Sequence, residues 1–252
     1  MIRFIFAMGW LAVFLICSIP LMIIEWIIGK FNKDLHDRSS LAIVQWAFRV
    51  MIVFAGTKVI VKGEENVPKD TAVMYVGNHR SYFDIILTYI RVPRPTGYIS
   101  KKEMDHIPLL GIWMRHLHCL FLDRKDIKQG LKTILEAIEK AKSGISICVF
   151  PEGTRNKGGA DAEMLPFHEG SFKIAEKAGV PIVPITLVNT AEIFENHLPR
   201  IKKTTVIIEY GEPIYMSKLE RDDRKHIGAK VRGLIGERYE ELKKDLELPA
   251  KI

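Results

Sequence analysis

From Thr57 onward, short β-branched runs alternate with helical patterns, and this alternation restricts the fold more than any other feature of the chain. Strands are predicted at Lys58–Val61, Ala72–Val76, Gly97–Ser100, Cys119–Leu122, Ile145–Phe150, Ile182–Leu187 and Thr205–Tyr210. Their apolar character is continuous rather than alternating, as expected of strands buried on both faces. Helices are predicted at Ile85–Ile90, Leu109–Arg115, Ile127–Lys142, Ser171–Ala178 and Ser217–Leu246. Within Ile127–Lys142, residues Leu131, Ile134, Leu135 and Ile138 form a helical stripe. The expected fold class is α/β: a largely parallel mixed sheet covered by helices, with an N-terminal hydrophobic helical membrane motif. Residues 1–56 form the expected N-terminal segment and 57–252 the α/β domain.

This layout places chemistry. Asn78-His79 follows the second predicted strand, Asp123-Arg124 the fourth, and Pro151-Glu-Gly-Thr-Arg155 the fifth. In a parallel sheet those C-terminal ends share one edge, where open α/β folds bind ligands.

Phe4 to Ile24 contains no charged residue. As one helix, those 21 positions would reach roughly 31 Å, about one hydrocarbon core. Trp10 and Trp26 suit interfacial positions. The bulky run around Pro20 leaves no small-residue cleavage site, which argues against a signal peptide. A second apolar stretch, Leu41 to Gly56, carries Gln45 and Arg49 and is short for a span. It reads as an interfacial helix or the return arm of a hairpin, joined to the first by a polar link from Gly29 to Ser40. A hairpin with both ends in the cytoplasm best fits the flanking lysines and arginines.

The net charge of +7 suits anionic lipid or phosphate-bearing substrates. Nucleic acid is not an expected partner, because the bases are dispersed among acids and no binding motif appears. Three cysteines, Cys17, Cys119 and Cys148, cannot all pair and read as reduced thiols. His116 and His118 form a His-x-His without a third ligand at sensible spacing, so no metal site is expected.

His79 can accept and return a proton near neutral pH. Asp84, five residues on across a strand-to-helix turn, can fold back to hold the imidazole. The same run also reads as a capping box, with Ser81 as N-cap and Asp84 at the third helical position. There is no Gly-x-Ser-x-Gly elbow. The nucleophile is therefore expected to be a substrate hydroxyl. Gly153 permits a tight turn, Arg155 can grip phosphate in bidentate fashion, and Glu152 can bond a substrate hydroxyl or fix Arg155. Arg124, beside Asp123, is a second phosphate candidate.

Four blocks occur in order: Asn78-His-Arg-Ser-Tyr-Phe-Asp84, Leu120-Phe-Leu-Asp-Arg124, Phe150-Pro-Glu-Gly-Thr-Arg155 and Val180-Pro-Ile-Val-Pro-Ile185. Together, over roughly Lys58 to Glu212, they resemble the four motifs of the glycerolipid acyltransferases, most closely the bacterial 1-acyl-glycerol-3-phosphate acyltransferases. The N-terminal membrane segment fits a bacterial member, and the expected protein is a monotopic or singly spanning enzyme of the cell membrane with its active site facing the cytoplasm. The resemblance implies transfer of an acyl group from acyl-carrier protein or coenzyme A, as co-substrate and without a cofactor, onto the free hydroxyl of lysophosphatidic acid, giving phosphatidic acid. It implies His79 as base and Asp84 as its partner, with Arg124, Glu152, Gly153, Thr154 and Arg155 binding glycerol phosphate. Val183, Pro184 and Ile185 would line the acyl side, and Lys101 would add a basic group after the third strand. The chain departs from the pattern at His118, Asn156 and His168, none of them a catalytic position. Another lysophospholipid or glycerol 3-phosphate as acceptor, or a catalytically silent lipid-binding member, are the alternatives.

Overall fold

A computed structural model describes residues 1–158 and 162–247. Three helices come first: α1 (Ile2–Cys17), α2 (Ile19–Phe31) and α3 (Lys33–Ala55). They are followed by β1 (Lys58–Lys62), β2 (Met74–Gly77), α4 (Phe83–Tyr89), β3 (Thr96–Lys101), α5 (Leu110–His116) and β4 (Leu120–Leu122). Then come α6 (Ile127–Lys142), β5 (Ser146–Val149), α7 (Lys173–Ala178), β6 (Ile182–Val188), β7 (Thr205–Tyr210), α8 (Arg221–Lys225) and α9 (Ile227–Glu247). The last five residues of the expected domain, 248–252, lie outside the described residues.

The sheet runs β1-β7-β6-β2-β5-β3-β4. Every neighbouring pair is parallel except β6 with β7. The central strands β2, β5 and β6 are buried along their whole length, which accounts for their unbroken apolar sequences. Successive β2 residues serve opposite faces. Val73 and Tyr75 join the core beneath the N-terminal helices, α4 and α5, whereas Met74 and Val76 join the core beneath α6, α7 and α9. The first core also takes Ala7, Phe14, Met22 and Val44, so the N-terminal helices share apolar packing with the sheet.

The N-terminal segment differs from a single 31 Å helix. α1 stops at Cys17 and α2 leaves at 52° to it. Pro20 stands in the first turn of α2, where its missing N–H breaks the ladder from α1. Ser18 fills the break: its hydroxyl bonds Leu15 O at 3.0 Å and accepts Trp113 Nε1–H at 2.8 Å. The Gly29–Ser40 stretch is not a loose link either. α2 runs to Phe31, and Asn32 caps α3 by accepting Leu35 N–H at 3.0 Å. Gly56, at φ 68°, closes α3 in the left-handed region. α3 is long and apolar enough to cross a membrane, as is the bent α1–α2 pair taken together. Trp10 is turned inward, donating to Ala47 O at 2.9 Å, while Trp26 is exposed. Ile5, Phe6, Val13, Ile16 and Ile23 also face outward. The predicted helix Ser217–Leu246 is divided into a short 3-10 turn, α8 and α9.

Candidate active site

Gly77 ends β2, and the chain turns through Asn78 to Tyr82 before α4 begins. Asn78 ties this turn to β6, donating to Leu187 O at 2.9 Å and accepting Leu187 N–H at 2.8 Å. His79 Nδ1 lies 2.8 Å from Asp84 Oδ2. A carboxylate only accepts, so Nδ1 carries the proton and Nε2 presents its lone pair. No hydrogen bond among the described residues occupies Nε2, and the His79 side chain keeps 14% exposure.

Asp84 is fully buried. Its Oδ2 also accepts the backbone N–H groups of Arg80 and Ser81, each at 2.7 Å. Ser81 Oγ accepts Phe83 N–H at 3.0 Å. The expected box is only half formed: α4 begins after Tyr82 without a side-chain cap, and the Asp84 carboxylate instead ties the preceding turn together while it orients His79.

Phe150-Pro-Glu-Gly-Thr-Arg155 packs against this turn from β5. Phe150 stacks on the imidazole, with centroids 4.4 Å apart and planes 19° apart. Glu152 is buried, and both its oxygens are engaged: Oε1 accepts His79 N–H at 2.7 Å and Oε2 accepts Leu165 N–H at 3.1 Å. Burial pushes its carboxyl up from the usual range, against those two hydrogen bonds. Glu152 thus holds the His79 backbone and does not present a free oxygen to a ligand. Gly153 sits at φ 69° and turns the chain back. Thr154 is exposed.

Arg155 introduces a residue the sequence did not single out. Its guanidinium lies 3.6 Å over the Tyr82 ring and bonds Glu195 Oε1 at 3.1 Å. Glu195 also accepts Ser81 Oγ–H at 2.6 Å and Tyr82 N–H at 2.7 Å. It follows β6 by several residues and belongs to none of the four blocks. A cavity of about 490 Å³ opens here, lined by Arg80, Tyr82, Arg155, Lys157, Glu195 and Tyr239 among others.

The expected convergence is incomplete. Lys101 ends β3 and Arg124 follows β4, so both are on the expected edge and both are exposed. They stand two and three strands from β2. At ~4.8 Å per strand that is roughly 10 and 14 Å. Val183, Pro184 and Ile185 lie inside β6, buried. Their pairing with Tyr75, Val76 and Gly77 braces the strand that carries His79. His116 and His118 face α3, where His116 Nδ1 is 2.8 Å from His36 Nε2 and His118 Nε2 is 2.8 Å from Asp37 Oδ1. Among the described residues no cluster of three or more such side chains is arranged to hold a metal ion. Cys148 is buried with its thiol pushed far up by desolvation, so it is no nucleophile.

The family model described as Acyltransferase matches residues 58–188. A 1-acyl-sn-glycerol-3-phosphate acyltransferase of Haemophilus influenzae is 31% identical, over 92% of this chain and 94% of that protein. One of Borreliella burgdorferi is 30% identical, over 82% and 81%. The crystal structure of the 1-acyl-sn-glycerophosphate (LPA) acyltransferase PlsC from Thermotoga maritima has the same fold, with a TM-score of 0.79, 24% identity and 96% coverage of each chain.

Proposed function

The chain belongs to the acyltransferase family, and from that premise we propose that it acylates the free sn-2 hydroxyl of 1-acyl-glycerol 3-phosphate, giving phosphatidic acid. The acyl group comes as a thioester of acyl-carrier protein or coenzyme A. The acceptor is the one named for the Haemophilus and Borreliella relatives. The observation that carries the mechanism is His79, fixed through Nδ1 by buried Asp84 with Nε2 unoccupied.

Nε2 takes the proton of the acceptor hydroxyl as its oxygen attacks the thioester carbonyl. Asp84 stabilises the imidazolium and preserves its orientation. When the tetrahedral adduct collapses, the carbon–sulfur bond breaks and the imidazolium returns the proton to the departing thiolate. Phe150 stacks on the ring, and the Glu152 clamp holds the His79 main chain. Arg155 and Thr154 bind the acceptor phosphate on one flank, Arg155 by a charge-assisted fork. Lys101 and Arg124 supply positive charge on the other flank.

Both lipid substrate and product reside in a bilayer, and the outward apolar faces of α1 and α2 support a position at its surface. The active edge faces the cytoplasm, where the thioester donors are. The test is acyl transfer by the purified chain to lysophosphatidic acid, glycerol 3-phosphate and lysophosphatidylcholine in parallel. Lysophosphatidic acid is the expected best acceptor, and a clear preference for either of the others overturns the assignment.

A further inference from the structure

The α6 stripe identified in the sequence does not all turn inward. Ile138 is buried against the sheet, with Thr133, Ala137 and Ala141. Ile127, Leu131 and Leu135 instead project into solvent at 88%, 60% and 54% exposure. Spaced four residues apart, they form one line along the helix. Large exposed aliphatics in such a row are unusual for a helix covering a sheet.

Their charged neighbours are selective. Lys125, Lys128 and Lys132 are exposed, and no carboxylate among the described residues pairs with them. The acids of α6 are occupied. Asp126 caps the helix through Lys128 N–H and Gln129 N–H, Glu136 pairs with Lys140, and Glu139 with Lys142. The N-terminal half of α6 therefore presents apolar residues flanked by free lysines, the combination that holds a helix in the boundary of an anionic bilayer.

The position fits. α2 packs on α5, α5 on the turn at Lys102–His106, and that turn on β4. Lys102 then bridges to Asp123, in the loop entering α6, at 3.2 Å. Exposed Ile112 and Ile107 lie along this path. These contacts connect α2 to the loop that enters α6 around the β4 edge of the sheet.

We propose that the exposed line from Lys125 to Leu135, at the start of α6, is a second membrane-contacting surface, with Ile127, Leu131 and Leu135 seated among lipid chains and Lys125, Lys128 and Lys132 on anionic headgroups. The catalytic domain then touches the bilayer at two places, on either side of the strand ends that carry the site. The bilayer is preferred to an acidic carrier protein or a second copy of the chain because large aliphatics and unpaired lysines alternate along one exposed line, and apolar side chains also face outward on α1 and α2.

The first test needs no catalysis, so it stands apart from the acyl-transfer reading. In the full chain carrying Cys17→Ser, Leu131→Cys is labelled with an environment-sensitive fluorophore. Vesicles of phosphatidylcholine with phosphatidylglycerol should shift its emission to the blue and make it quenchable by lipid-borne nitroxide. Emission that stays water-like, quenched only by aqueous iodide, overturns the proposal. The second test replaces Ile127, Leu131 and Leu135 together with Gln. Activity should hold in detergent micelles and fall about 10-fold on vesicle-borne acceptor. An equal loss in micelles, a loss confined to the carrier-protein donor, or a changed oligomeric mass each overturns it.

Discussion

Glu152 Oε1 accepts the backbone N–H of His79 at 2.7 Å, so the turn after β5 fixes the main chain of the base that follows β2. The other Glu152 oxygen binds Leu165 N–H. Replacement by Gln sets an amide NH₂ against one of these two donors. Glu152→Gln should destabilise the fold by about 1–3 kcal/mol and lower kcat. Thermal unfolding and steady-state kinetics on the same preparation check this; a variant unchanged in both contradicts the clamp.

Asp84→Asn and Asp84→Ala separate two duties of one side chain. Asn retains an oxygen for the Arg80 and Ser81 N–H groups but loses the charge that favours the imidazolium. It should lose about 10³–10⁴-fold in kcat while melting near wild type. Ala leaves both buried donors unpaired, at about 1–3 kcal/mol each, and should melt well below Asn. Equal melting of the two variants would show that these bonds carry no stability.

Arg155 is gripped by Tyr82 and Glu195 before any substrate arrives. Lys cannot reproduce that planar stacking. Arg155→Lys should raise KM for the phosphorylated acceptor about 10-fold with a smaller change in kcat. Glu195→Ala releases Ser81 and Tyr82 as well and should act chiefly on kcat. The pair of KM and kcat effects, measured at saturating donor, distinguishes binding from positioning.

Burial, with His36, Arg115 and His118 adding positive charge, holds His116 down to about 4 from its ordinary 6.5. The unfolded chain therefore binds a proton that the folded chain refuses. Stability from neutral His116 is complete above about pH 6.5 and is lost as pH falls toward 4. The contact joins α5 to α3, with Asp37 beside it. His116→Asn should flatten the fall in melting temperature across that window. A slope as steep as wild type would place the acid sensitivity elsewhere.

All seven strands stand where β-branched runs predicted them; the central ones, buried on both faces, leave an unbroken apolar signature, whereas edge strand β1 is only partly covered. The strand-end layout anticipated which turns come together: His79 pairs with Asp84 after β2, and Arg155 after β5 reaches Tyr82 of that same turn. Three features were not legible. Glu195 reaches the site from beyond β6, and nothing local marks a carboxylate that will bond a turn more than a hundred residues away. Glu152 carries the same letter whether it binds substrate or backbone, and only burial decides. The break between α1 and α2 was foreshadowed by Pro20, yet hydropathy counts apolar residues without registering a missing N–H.

The central claim is that His79 is the base for acylation of lysophosphatidic acid. Its most direct measurement is the initial rate of phosphatidic acid formation by purified His79→Ala, with the fold verified by an unchanged melting profile. The expected result is loss of at least about 10³-fold in rate, since proton transfer to and from the reacting oxygen and sulfur is removed. A folded variant that retains near wild-type transfer would contradict it.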